Sequence, residues 1–225
     1  MATFRAVRVR RMGSRLVVFD LDGTLIDATR DLATAVNRAL QKLVPGTAAI
    51  PEAVVRSFIG EGAQLLVSRS LGFAGVELPL QQVLPVFLEC YRGCLLDTTV
   101  LYPGIEDTLA ALGDRTLAVL TNKPGDLSRT ILEGLGVASR FARIYGGGDL
   151  PARKPDPVGL LRLLEENGLP AAAAVLVGDS AVDVKTGRAA SVRTVGVTYG
   201  LDPEGLLREG PDLLIDDIRE LPAVL

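Results

Sequence analysis

Four apolar residues, Leu16-Val17-Val18-Phe19, run directly into Asp20-Leu21-Asp22-Gly23-Thr24. A continuous apolar run of this length reads as a strand buried on both faces, the kind found in parallel sheets covered by helices. Two carboxylates, two positions apart at the end of such a strand, are costly unless something cationic holds them. Mg²⁺ together with a phosphate-bearing ligand meets that need, because this ion takes one or two carboxylates along with phosphate oxygens. A strand followed by an ordinary Asp-Gly turn is the plainer alternative. The rest of the chain decides between them.

After Asp27 the pattern changes. Leu32, Ala35, Val36, Ala39, Leu40 and Leu43 recur at three- and four-residue spacing, one apolar helical face that Pro45-Gly46 ends. Helical pieces broken at Pro51, Gly60, Gly62, Gly72, Gly75 and Pro79 continue to about Asp97, with no alternating strand among them. Regular alternation follows. Strands are expected over Thr116–Leu120, Phe141–Tyr145, Ala174–Gly178, Thr194–Val197 and Leu213–Ile215. Helices are expected over Ile105–Leu112, Leu127–Leu135 and Ala181–Ala190, with another opened by Asp156-Pro157 and closed by Gly168. This predicts an α/β fold, a Rossmann-like parallel sheet core with helices on both faces and an inserted α-helical cap domain. Residues 1–14 form a basic arm carrying Arg5, Arg8, Arg10 and Arg11, residues 15–28 and 99–225 the core, and residues 29–98 the insertion.

Composition removes several kinds of chemistry. The chain has no histidine, which excludes Ser-His-Asp and Cys-His catalysis and His-ligated zinc. Proton transfer then falls to carboxylates, Lys, Tyr or water. A formal charge of −3 predicts no broad attraction to nucleic acid or to anionic membranes. No apolar run approaches the ~18 residues that cross a bilayer. Cys90 and Cys94, four apart on an expected helix, read as buried free thiols. With no apolar leader segment in view, the expectation is a cytoplasmic protein, monomeric or homodimeric.

In open parallel sheets, ligands bind beyond the carboxyl ends of the strands. The expected strands deliver Asp20 and Asp22, then Thr121 and Asn122, then Lys154 in a Pro-rich loop, then Asp179 with Asp183 four residues on. Each has a local explanation: Thr121 and Asp179 can cap helices, and Lys154 can be solvated. Together and in order they fit phosphoryl transfer. Asp20 would attack phosphorus and carry an aspartyl-phosphate. Asp22 would protonate the leaving alcohol and later accept a proton from water. Mg²⁺ would be held by Asp20, Asp179 and a backbone carbonyl at Asp22. The Thr121 hydroxyl, the Gly23 and Asn122 backbone N–H groups and the Lys154 ammonium would grip the phosphate oxygens. Asp183 would orient a water on the ion.

Asp20-Leu21-Asp22-Gly23-Thr24-Leu25-Ile26-Asp27, Thr121-Asn122, Lys154-Pro155 and Gly178-Asp179-Ser180 followed by Asp183 resemble the four ordered motifs of the haloacid dehalogenase superfamily. The helical insertion resembles that superfamily's α-helical cap, which closes over the active site. The resemblance implies the roles given above. Phe58-Ile59-Gly60-Glu61-Gly62-Ala63 with Arg69, Thr121-Asn122-Lys123-Pro124, Gly147-Gly148-Asp149, Lys154-Pro155-Asp156-Pro157 and residues 195–200 are similar to its bacterial phosphoglycolate phosphatase branch. That similarity implies a small phosphorylated metabolite as substrate, with hydrolysis of 2-phosphoglycolate to glycolate foremost.

Asp22 speaks against dehalogenation, which has no leaving alcohol to protonate. The stretch from Ile50 to Val100 holds no lysine, which speaks against a phosphonate-cleaving enzyme with a Schiff base in its cap. Phosphatases of sugar phosphates, nucleotides or pyrophosphate stay open, as do a hexose-phosphate mutase and a binding protein that has kept only the fold. The second anion of phosphoglycolate needs N–H donors or a cation. Within the cap the candidates are the Gly60-Glu61-Gly62 turn and Arg69, for which a salt bridge inside the insertion is the alternative. Flexing near Ala28-Thr29 and Thr98-Thr99 is expected to close the cap.

Overall fold

Residues 13–225 are described by the structure, a computed structural model. All but Gly13 and Ser14 of the basic arm lies outside the described residues.

The four apolar residues of β1 (Leu16–Phe19) are fully buried, and they occupy the centre of the main sheet. β1 pairs in parallel with β4 (Thr116–Pro124) on one side and with β6 (Ala174–Gly178) on the other. Beyond β4 lies β5 (Arg143–Gly147), and beyond β6 lie β7 (Arg193–Val197) and β8 (Leu213–Ile215). All five pairings are parallel. Alternate residues of β1 feed opposite faces. Leu16 and Val18 join Leu120, Leu160 and Leu176, whereas Val17 and Phe19 join Val119, Val177 and the core under the helical insertion. This double burial is why the strand reads as an unbroken apolar run. The expected α/β class with a Rossmann-like parallel sheet is what the chain adopts. Because the chain runs from β1 to one side of the sheet and later to the other, the crevice of the topological switch opens beyond Phe19.

Between β1 and β4 the chain leaves and re-enters the core through a two-stranded antiparallel ribbon, β2 (Ile26–Asp27) with β3 (Val100–Leu101). Four helices lie between them: α1 (Thr29–Leu43), α2 (Glu52–Arg56), α3 (Ala63–Ala74) and α4 (Leu80–Arg92). No strand falls among them, in line with the broken helical pattern of the sequence. Asp31, in the first turn of α1, ties the two crossing segments together. It accepts from Thr98 N–H (3.0 Å) and Oγ1 (2.6 Å) and from Thr99 N–H (2.8 Å) and Oγ1 (2.7 Å). Burial works against its charge, yet these bonds outweigh burial and hold the carboxyl below its ordinary range. The ends of the insertion, Ala28-Thr29 and Thr98-Thr99, are therefore clamped to each other. Cys90 and Cys94 are buried free thiols, as expected.

The remaining helices are α5 (Ile105–Ala111), α6 (Gly125–Gly134), α7 (Val158–Asn167), α8 (Ala181–Ala189), α9 (Pro203–Glu209) and α10 (Leu221–Val224). α7 begins at Val158, later than Asp156-Pro157 suggests. The Asp156 carboxylate accepts from Val158 N–H (2.9 Å) and so spends itself on a turn before the helix. β5 also begins later than expected and runs through Gly146 and Gly147. A Cβ on Gly146 would lie 2.6 Å from the Lys123 carbonyl oxygen, and one on Gly147 2.7 Å from that of Asn122. These glycines let β5 press against the end of β4, which is where the site is built.

Candidate active site

Asp20 follows β1 directly and is almost fully buried. Its Oδ1 accepts from Leu21 N–H (2.7 Å) and pairs with Lys154 Nζ (2.9 Å). Its Oδ2 has no hydrogen-bond partner among the described residues. Lys154 also donates to Asp183 Oδ1 (2.6 Å), so one ammonium serves two carboxylates. Asp183 Oδ2 is held by Ser180 N–H (3.2 Å) and Oγ (2.6 Å), the capping box that starts α8. Asp179, at the end of β6, accepts from Thr24 Oγ1 (3.0 Å) and from Leu201 N–H (2.6 Å). One oxygen each of Asp20, Asp179 and Asp183 lies within 4.8 Å of the others.

Gly23 makes this approach possible. Its φ is +87°, and a Cβ there would stand 2.3 Å from Asp179 Oδ2. Its N–H donates to the Ile26 carbonyl (2.9 Å), so the group expected to face a phosphate is engaged in the turn. On the opposite side, the loop holding Asp179 is latched to the insertion. Arg56 of α2 donates to the Gly200 carbonyl (2.8 Å), whose peptide supplies the Leu201 N–H bound to Asp179.

The charges do not balance. Among the described residues, Asp20, Asp22, Asp179 and Asp183 pair with two ammoniums, Lys123 and Lys154, all largely out of water. Burial lifts the Asp20 carboxyl to about 6, with Lys154 pulling it down and Asp183 pushing it further up. Burial also raises Asp179 well above its ordinary range, reinforced by Asp183 and Asp20. Burial disfavours the Lys154 ammonium, yet Asp183 and Asp20 outweigh it and raise its pKa. A cluster of hard oxygen donors with surplus negative charge fits a small divalent cation such as Mg²⁺.

One pH dependence follows. The native carboxyls of Asp20 and Asp179 titrate above their unfolded values, so the folded chain binds more protons than the unfolded one, and stability falls as pH rises. Without divalent metal, the thermal midpoint is expected to climb as pH drops from about 7 to about 5. Mg²⁺ should flatten that trend by keeping the carboxylates ionised. Midpoints measured across this range with EDTA and with Mg²⁺ check it.

β4 runs on past Leu120 through Pro124, beyond the expected end of the strand. In an extended strand Thr121 and Lys123 share one face, and both line the cleft above Asp20. Lys123 Nζ pairs with both oxygens of Asp22, at 2.9 and 3.2 Å, and lies 4.7 Å from the centre of the Tyr91 ring of α4. Asn122 faces the other way. Its side-chain amide donates to the Lys154 carbonyl (3.0 Å) and to the Gly60 carbonyl of the insertion (3.2 Å). Gly60 and Gly62 line the cleft, but Arg69 does not, because its guanidinium pairs with Glu61. The salt bridge inside the insertion is therefore the arrangement of Arg69, and Lys123 is the cation that faces the cleft.

Lys123 and Tyr91 carry no role in the sequence reading above. The period-two rule applied to Thr121 points to Lys123, and the four-residue spacing from Phe87 puts Tyr91 on the same helical face. The cleft's upper wall is apolar, with Leu32, Ile59, Leu66, Phe87 and Tyr91. Its free volume is ≈ 30 Å³, room for two or three waters.

This chain belongs to the haloacid dehalogenase-like hydrolases, whose family pattern it matches over residues 17–197. Among its relatives, the phosphoglycolate phosphatase of Pseudomonas fluorescens is 40% identical over 216 residues, covering 92% of this chain and 78% of that protein. The phosphoglycolate phosphatase of Rhodospirillum rubrum is 38% identical, covering 92% and 89%. The crystal structure of a chain from Haemophilus somnus, described as a predicted phosphoglycolate phosphatase, superposes with a TM-score of 0.89 at 32% identity, covering 94% of this chain and 98% of that one. Among the described residues no helix is long and apolar enough to cross a membrane.

Proposed function

We propose that the protein is a Mg²⁺-dependent cytoplasmic phosphatase of small phosphate monoesters, 2-phosphoglycolate foremost, working through an aspartyl-phosphate on Asp20. The observation that carries this reading is the convergence of Asp20, Asp179 and Asp183 at the switch point of the sheet, two of them, Asp20 and Asp183, paired with Lys154, and with Asp20 Oδ2 unengaged among the described residues. The names of the relatives support the substrate.

In this reading Asp20 and Asp179 hold the ion, with a backbone carbonyl at Asp22 as a further ligand. When bound, the ion would neutralise charge on the nucleophile and the phosphate. Asp20 Oδ2 donates its lone pair to phosphorus, and the bond from phosphorus to the ester oxygen breaks. Asp22 gives that oxygen its proton. Water then attacks the phosphoaspartate, Asp22 takes a proton from it, and the bond to Asp20 breaks to return the carboxylate. Lys154, Thr121 and the Asn122 N–H hold the equatorial oxygens, and Gly23 supplies the tight turn that lets them close in. Asp183, with both oxygens engaged, fixes Lys154 and would orient a water on the ion. Residues 29–98 act as the cap, the Gly60–Gly62 turn contacts the substrate, and Arg69 braces that turn through Glu61. A cleft this small excludes bulk water once seated and admits substrate when the cap moves.

The test is phosphate release from a panel of 2-phosphoglycolate, glucose phosphates, pyrophosphate and nucleotides. The expected result is a kcat/KM for 2-phosphoglycolate at least about 100-fold above the others, lost in EDTA and restored by Mg²⁺. Equal, weak release across the panel would discard the substrate, and release unaffected by EDTA would discard the mechanism.

A further inference from the structure

We propose that Lys123 and Tyr91 together form the receptor for a second anionic group on the substrate. This rests on the phosphatase reading and sharpens it: the preferred substrates are short phosphate monoesters whose alcohol carries a carboxylate.

Position is the first argument. Lys123 is bonded to Asp22, the group assigned to the ester oxygen, so its ammonium stands beside the place where the leaving alcohol begins. In 2-phosphoglycolate the carboxylate follows that oxygen after one methylene. An ammonium has three donors, and it remains buried and charged when Asp22 swings to the ester oxygen. A carboxylate arriving there replaces the partner that Lys123 loses.

Tyr91 supplies an independent argument. Its side chain is almost wholly buried, it lines the cleft, and its hydroxyl, with Lys123 as a polar neighbour, makes no hydrogen bond of ordinary geometry among the described residues. A buried hydroxyl left unpaired costs free energy comparable to a lost hydrogen bond, so it marks a place where a ligand acceptor belongs. Burial pushes its phenol up to about 12, so it stays a donor at neutral pH. The side chains of Leu32, Ile59, Leu66 and Phe87 offer nothing to a second anion or to the hydroxyls of a sugar, and Gly60 and Gly62 can add only backbone groups.

The two groups come from different parts of the chain. Lys123 lies on β4 of the core and Tyr91 on α4 of the insertion, and the ring covers the ammonium at 4.7 Å. The receptor is thus complete only when the insertion is seated over the strand ends. The second anion then both selects the substrate and favours closure.

The experiment compares two pairs of compounds on wild type, Lys123→Met, Lys123→Arg and Tyr91→Phe, each checked for folding by circular dichroism. The first pair is 2-phosphoglycolate and ethyl phosphate, read as the ratio of their kcat/KM values. The second is 3-phosphonopropionate and propylphosphonate, which are not hydrolysed, read as the ratio of affinities by calorimetry with Mg²⁺. Both ratios are expected to fall about 100-fold in Lys123→Met and about 10-fold in Tyr91→Phe, with Lys123→Arg recovering part of the loss. Equal losses on both members of a pair would make Lys123 a support for Asp22 only and overturn the proposal. Equal affinity of the wild type for both phosphonates would overturn it whatever the enzyme hydrolyses. A wild type that turns over neither ester but still discriminates between the phosphonates would sink the phosphatase reading and leave the anion receptor standing.

Discussion

Asp20→Asn is expected to abolish turnover, by at least about 10⁴-fold, while leaving the fold intact. An amide cannot form the acyl phosphate, so the two-step route closes. The structural cost is small for a physical reason. Asparagine keeps the oxygen that accepts from Leu21 N–H, and Lys154 retains Asp183 at 2.6 Å. The substitution also removes one of the like charges that crowd Asp179. The metal-free variant should therefore melt at or above the wild-type temperature. Phosphate release and thermal denaturation on one sample separate the two effects. Near-normal activity would sink the covalent mechanism, and a large loss of stability would show that Asp20 is needed to hold Lys154.

Lys154→Met should have the largest effect on stability. The ammonium is almost wholly buried between Asp20 and Asp183, and both side chains are themselves nearly out of water. Its removal strands two carboxylates next to a third, Asp179. Breaking a buried pair in this way costs about 3–5 kcal/mol. For a chain of this size each kcal/mol moves the melting temperature about 2–4 °C, so a fall of roughly 10 °C is expected. Mg²⁺ should recover part of it, because the ion supplies the missing positive charge. Activity should be lost as well, since the phosphate loses its buried cation. An unchanged melting point in EDTA would mean that the carboxylates are protonated in the folded chain and that Lys154 does not hold them.

The same crowding of charge explains what was legible in the sequence. A carboxylate cannot end a buried strand without a purpose, so Asp20 and Asp179 stood out as soon as β1 and β6 were recognised as apolar runs. The spacing of Leu32 to Leu43 gave α1 closely, because one face of that helix is buried. α9 is absent from the expected elements although its signals are present: Asp202 accepts from Gly205 N–H (2.9 Å) and Pro203 opens the first turn. Its seven residues bury too little to leave a periodic pattern. Phe141 reads as strand because it is apolar, and its backbone is extended, but it lies between a turn at Ala138–Arg140 and the start of β5, packed edge-on against Phe19 at 6.3 Å. Arg69 and Lys123 show the limit most clearly. Either cation can meet an anion on paper, and only the pairing of one with Glu61 and the other with Asp22 tells which faces the cleft. Asp31 was invisible for a similar reason. Its partners, Thr98 and Thr99, lie at the far end of the insertion, and no local pattern links them.

The most direct test of the central claim is rapid acid quench of the wild type turning over 2-phosphoglycolate with Mg²⁺, followed by mass analysis of the peptide that contains Asp20. The account predicts that this peptide gains the mass of one phosphoryl group on Asp20, at a level that rises and decays with turnover and vanishes without Mg²⁺. Full-rate turnover with Asp20 unmodified at every quench time, or with the phosphoryl group on another residue, would contradict it.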